Sequence, residues 1–252
     1  MSNPVRIVGS FLSPYVRKVL VTMQRKGIAF CVDPIVPFFG DDRFSAASPL
    51  RRVPVYIDDR VTLCDSTVIC QYLEDICPEP SMYPRDVADR ARARWIEEYA
   101  DTRMGDVFIW HLFNQVAIGP AVWGRPTDDA VVKRAVDEEI PVILDWIETL
   151  APALGFLFGD TLSIADVSLA VFLRNAEFAR YRIDEARWPR AAGLISRVLA
   201  TEGFTALRPF EDLSIRTPIA RHRQALGSIG APLTADTWYT DKPRPGIMTA
   251  TP

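Results

Sequence analysis

Pro78, Pro80 and Pro84 crowd one short stretch, and that crowding limits the fold of this 252-residue chain more than any other feature. A proline inside a helix removes a backbone donor and clashes with the preceding turn, a cost of ~3 kcal/mol. A central strand accepts it no better. No regular element therefore runs through residues 77–86, which read as a linker. At ~150 residues per domain the length allows one large domain or two modest ones. The linker selects two, residues 1–76 and 87–207, with a proline-rich tail over 208–252.

The two sides of the linker differ in period. Val5 to Gly9 reads as a short strand, and Pro14 to Lys26 as a helix with Val16, Val19, Leu20 and Met23 at helical spacing before Gly27. Ile28 to Ile35 reads as a second strand, and Pro37 to Ser48 as a turn-rich connection with room for a short helix. Val53–Ile57 and Val61–Leu63 flank Asp58-Asp59-Arg60 as a hairpin, and a helix runs from Asp65 to about Ile76. The order is β-α-β-α-β-β-α, a small α/β domain. Beyond the linker the pattern is all helical: Val87 to about Val116 with Gly105 as a bend, Asp128 to Leu150 with Pro141 as a kink, Ile164 to about Arg180, and Pro189 to Ala200. From Arg208 the prolines and turn residues predict a partly irregular surface segment, too long for an ordinary loop.

Composition narrows the chemistry. With 48% hydrophobic and 24% charged residues the chain is an ordinary folded protein. A net charge of -3 supplies no cationic field for a phosphate backbone, so nucleic acid is not an expected partner. No stretch approaches the ~18 apolar residues of a membrane span. Cys31, Cys64, Cys70 and Cys77 contain no C-x-x-C pair and are too few for a disulfide scaffold, which predicts a cytoplasmic protein. Only His111 and His222 are present, so a histidine-built zinc site cannot be assembled and no metal is expected. Neither histidine accompanies a G-x-S-x-G elbow, and G-x-G-x-x-G and Walker loops are absent.

Leu162-Ser163-Ile164-Ala165-Asp166-Val167 has the form of a capping box with its hydrophobic staple. Ser163 is expected to accept from the N–H of Asp166, and Asp166 from the N–H of Ser163. This is a helix nucleus rather than chemistry, with a loss of about 1 kcal/mol expected on replacing either residue by Ala.

Four motifs in order, Ser13-Pro14-Tyr15-Val16-Arg17-Lys18-Val19, Pro49-Leu50-Arg51-Arg52-Val53-Pro54-Val55, Asp65-Ser66 and Ser163-Ile164-Ala165-Asp166, make the chain resemble the cytosolic glutathione transferases over roughly residues 4–207. The resemblance implies a thioredoxin-like domain followed by an all-helical bundle, glutathione as co-substrate, a small hydrophobic electrophile as second substrate, and a homodimer. The chemistry implied is a glutathione thiolate attacking the electrophile, as in a transferase; a glutathione-dependent dehalogenase or isomerase would use the same cradle. A non-catalytic scaffold of this fold is the alternative from another class.

Ser13 falls where the family keeps its thiol-activating residue, with Ser10 and then Tyr15 as alternates. Standing alone, Ser13 before Pro14 is an ordinary N-cap. Val53-Pro54 falls at the family's cis-proline, which turns the Val53 backbone toward the ligand. Arg52 would pair with the glycyl carboxylate and Asp65-Ser66 with the γ-glutamyl end. Two departures stand out: Arg51 replaces a glycine, and Asp65 is one methylene shorter than the usual Glu. Tyr15, Met104, Phe108 and His111 are the expected second-substrate residues, although a stripe at i, i+4, i+7 is also what plain core looks like. Trp238 and Tyr239, folded back over the cleft, would narrow that pocket.

Overall fold

The computed structural model describes residues 4–246, which divide into two compact units. One runs through Pro80 and takes in the chain again from Ala206; the other is Ser81–Thr205.

The first unit is built on a four-stranded sheet in the order β2-β1-β3-β4. Its strands are β1 (Val5–Val8), β2 (Phe30–Asp33), β3 (Val55–Ile57) and β4 (Thr62–Cys64). β1 is parallel to β2, and β3 is antiparallel to both β1 and β4, which is the thioredoxin-like arrangement. Helix α1 (Pro14–Arg25) starts at the Ser13 N-cap with Pro14 in its first turn, and buries Val16, Val19, Leu20 and Met23. It packs against α3 (Ser66–Ile76), while the short α2 (Asp42–Ala47) buries Phe44 in a cluster with Val8, Ile35 and Val55. The linker is tied down by Lys26, whose Nζ donates to the carbonyls of Cys77 at 2.6 Å and Pro80 at 3.0 Å.

The second unit is helical. α4 (Val87–Tyr99) continues to Trp123, seven residues past the expected end at Val116, as a wide helix paired i to i+5 over Ala100–Trp123. Gly105 is buried inside that wide segment. A second wide turn, Ala135–Glu139, separates α5 (Asp129–Arg134) from α6 (Ile140–Leu150). Pro141 therefore lies in the first turn of α6, where its missing N–H costs nothing, and the irregularity expected at it falls just before it. α7 (Ile164–Phe178) is buried on all sides from Ile164 to Ala176 and packs on α4 and on α8 (Pro189–Leu199). No helix among the described residues is long and apolar enough to cross a membrane.

The stretch after Arg208 departs from expectation. α9 (Glu202–Arg216) runs through it with Pro209 inside, and α10 (His222–Ser228) follows. The chain then forms a strap along the β2 edge. Val32 N–H donates to Pro232 O at 2.7 Å and Thr234 N–H donates to Val32 O at 3.1 Å, which covers an otherwise open strand edge. Trp238 and Tyr239 belong to this strap and pack on the first unit. Trp238 N–H donates to Asp33 Oδ2 at 2.7 Å, and Tyr239 stacks on Phe39 with centroids 5.7 Å apart.

Candidate active site

Strand register brings three strand ends together. Val8 pairs with Val55 and Val55 with Cys64, so the end of β1, the start of β3 and the end of β4 form one row. Gly9–Ser13, Val53–Pro54 and Asp65–Ser66 each leave or enter the sheet at that row. Gly9 makes the closeness possible: a Cβ there would lie 2.5 Å from Val16 Cγ2 and 3.0 Å from Val53 Cβ. Lys18 Nζ donates to Thr67 Oγ1 at 3.0 Å, joining α1 to the first turn of α3.

Ser13 Oγ accepts from Val16 N–H at a long 3.4 Å, so its cap role uses a lone pair and its hydroxyl proton has no acceptor among the described residues. A helix N-terminus beside a free O–H is a favourable place for an anion. Ser10 is 4% exposed and its Oγ accepts from Leu12 N–H at 3.2 Å, which leaves it deeper than Ser13. Tyr15 is half-buried on the first turn of α1.

Val53–Pro54 is cis, and the backbone N–H and C=O of Val53 have no protein partner among the described residues. Arg52 is exposed, its backbone held by Ser48, which donates from Oγ to Arg52 O at 2.9 Å. Arg51 takes φ 49°, the left-handed conformation that glycine favours, so the loop keeps a glycine shape without a glycine. The guanidinium offsets this strain: Nη2 donates to Pro37 O at 3.1 Å and Gly40 O at 2.9 Å, Nη1 to Ser45 Oγ, and the group lies over the Phe44 ring. Burial, helped by nearby Arg244, pushes its pKa down from the ordinary guanidinium value.

Asp65 caps α3, its Oδ1 accepting from Thr67 N–H at 3.0 Å and Val68 N–H at 3.3 Å. It adopts φ 81°, ψ 122°, a conformation costly for a residue with a Cβ. Of the three non-glycine residues with positive φ among the described residues, Arg51, Asp65 and Arg180, two flank this row. Ser66 is 3% exposed, at the first position of α3, where the backbone N–H has no helical partner.

The expected second-substrate stripe divides. Met104 and Phe108 are 0% exposed and pack as core within the helical unit. His111 is half-buried within the helical unit, its Nδ1 2.7 Å from Glu139 Oε2, with Arg103 Nη2 3.6 Å from Glu139 Oε1. A period of 3.6 is common to core and pocket faces, which is why spacing alone did not separate them.

Comparison with known proteins gives two family matches. Residues 8–81 match the glutathione S-transferase N-terminal domain and residues 129–197 the glutathione S-transferase C-terminal domain. An uncharacterized GST-like protein of Escherichia coli, YibF, is 29% identical over 210 residues, covering 81% of this chain and 98% of its own length. The maleylacetoacetate isomerase of Rattus norvegicus is 25% identical over 197 residues, covering 76% and 86%. A solved glutathione S-transferase from Rhodospirillum rubrum F11 superposes with a TM-score of 0.73 at 25% identity, over 81% of this chain and 91% of that one.

Proposed function

Because this chain belongs to the glutathione S-transferase superfamily, we propose that it binds glutathione along the row of strand ends and transfers the ionised thiol to a small hydrophobic electrophile. The observation that carries the reading is the Ser13 hydroxyl, which caps α1 through its oxygen and keeps its proton to donate. The unpaired Val53 backbone receives the tripeptide as an added strand. Ser66 and the start of α3 receive the γ-glutamyl carboxylate, and Arg52 the glycyl carboxylate.

In the reaction the glutathione S–H gives its proton to solvent, and Ser13 donates to the resulting thiolate. Sulfur then forms a bond to carbon while a leaving group departs, or while a proton adds to an unsaturated acceptor. A free thiol titrates near ~8.5, and lowering that value by about 2 units takes roughly 2.7 kcal/mol of preference for the thiolate, most of it within reach of one charge-assisted hydrogen bond. Isomerisation is the second reading, favoured by the relative named maleylacetoacetate isomerase: the thiolate adds, a bond rotates, and the thiolate leaves again. A homodimer in the cytoplasm belongs to the same proposal.

The test is glutathione binding followed by turnover on aryl halides, epoxides and cis-enones. Saturating glutathione is expected to raise the melting temperature, with a stabilisation of about 2.7 kcal/mol at a hundred times Kd. Ser66→Ala is expected to weaken binding about tenfold. No shift at millimolar glutathione would leave the fold as a scaffold and remove the proposal.

A further inference from the structure

The chain beyond the helical unit returns to the loop that carries Ser13. On α9, Glu211 is 1% exposed and faces Arg17 of α1, itself 0% exposed; Arg17 Nε donates to Glu211 Oε1. Arg17 Nη2 donates onward to the carbonyl of Phe11 at 3.4 Å. Phe210, beside Glu211, lies against Phe11 with ring centroids 5.2 Å apart. Phe11 sits in the turn closed by Ser13 N–H donating to Ser10 O at 3.0 Å, so the acid on α9 is two contacts from the turn that aims the Ser13 hydroxyl.

An ion pair buried this fully is poor value as a source of stability, because its desolvation cancels most of its attraction and apolar residues of similar volume pack as well. What it supplies is direction: a fixed guanidinium fork holds a carboxylate and a carbonyl in one geometry. We infer that Glu211 is a positioning residue for the thiolate site, acting through Arg17 on the Ser10–Ser13 turn, so that the C-terminal segment is part of the glutathione site. The inference rests on the glutathione reading above.

The test uses the full chain and two variants. Glu211→Gln keeps size and an acceptor oxygen but removes the negative charge that faces Arg17. The double variant Arg17→Met/Glu211→Met keeps packing without charge, and so keeps the test open if the single variant fails to fold. Three readouts are taken: amide exchange of residues 10–13 without ligand, the pKa of the bound glutathione thiol, and affinity for S-methylglutathione, which has no thiol to ionise. In the folded variant amide exchange is expected to quicken about tenfold, and the thiol pKa to rise by roughly one pH unit. Affinity for S-methylglutathione is expected to stay within about twofold of wild type.

An unchanged thiol pKa in a folded variant overturns the inference, whatever the exchange shows. So does a loss of S-methylglutathione affinity as large as the change at the thiol, which would mean general damage. Failure of the underlying glutathione reading appears elsewhere, in wild type, as a bound thiol that titrates like the free one.

Discussion

Replacing Asp166 by Ala is expected to destabilise the protein by about 4 kcal/mol, well beyond the ~1 kcal/mol of an ordinary cap. The structure supplies the reason. Asp166 is 0% exposed, and its carboxylate receives three donors: Leu157 N–H at 2.9 Å, Ser163 N–H at 2.9 Å and Ser163 Oγ–H at 2.6 Å. The Ser163 hydroxyl thus donates to Asp166, a bond absent from the expected capping box. Alanine would strand buried donors at the start of α7, the helix buried on all sides in its unit. Denaturant unfolding checks this, and a loss of 1 kcal/mol or less would contradict it.

The same carboxyl gives a pH signature. Burial pushes its pKa up, against the hydrogen bonds that hold it down. A raised folded value means the group's contribution is fully present below its unfolded pKa of ~3.9 and declines as pH rises through the folded one. The gap between wild type and Asp166→Asn should therefore widen toward acid and narrow above the carboxylate range. A gap that widens upward would reverse the sign.

Asp33→Ala is the second large effect, about 3–5 kcal/mol, because it strands buried partners and unfastens the strap. Asp33 is 0% exposed and accepts from Arg6 Nη2 at 3.1 Å, Thr237 Oγ1 at 2.7 Å and Trp238 N–H at 2.7 Å, with Arg223 Nη1 3.6 Å away. Arg6 also lies over the Trp238 ring, 4.6 Å from its centroid. Without the carboxylate the strap loses its deepest anchor and the β2 edge reopens. Early proteolysis between residues 230 and 245, with faster exchange at Thr234 and Trp238, is the expected result. A variant as protease-resistant as wild type would show that the remaining contacts hold the strap alone.

What could be read from the sequence was whatever depends on neighbours along the chain. The β-α-β-α-β-β-α order, the Ser13 cap with Pro14 behind it, the hairpin at Asp58 and the start of α7 are all set by residues a few positions apart. Distance along the chain hides the rest. Arg17 and Glu211 are separated by 194 residues and Asp33 and Trp238 by 205, so no local pattern marks either pair. The tail's prolines read as irregular because proline argues against helix in isolation, yet α9 runs through Pro209, with Phe210 against Phe11 and Glu211 on Arg17. Arg51 read as a departure because it replaces a glycine, and its long side chain finds the acceptors that hold a glycine-like backbone.

On the proposed function, the Ser13 hydroxyl stabilises a glutathione thiolate. Ultraviolet thiolate absorbance of the bound tripeptide against pH, in wild type and Ser13→Ala, tests it most directly. A thiol pKa about 2 units below the free value of ~8.5 is expected in wild type, and a return most of the way to it in Ser13→Ala with glutathione still bound. A depressed pKa that survives Ser13→Ala unchanged would contradict it.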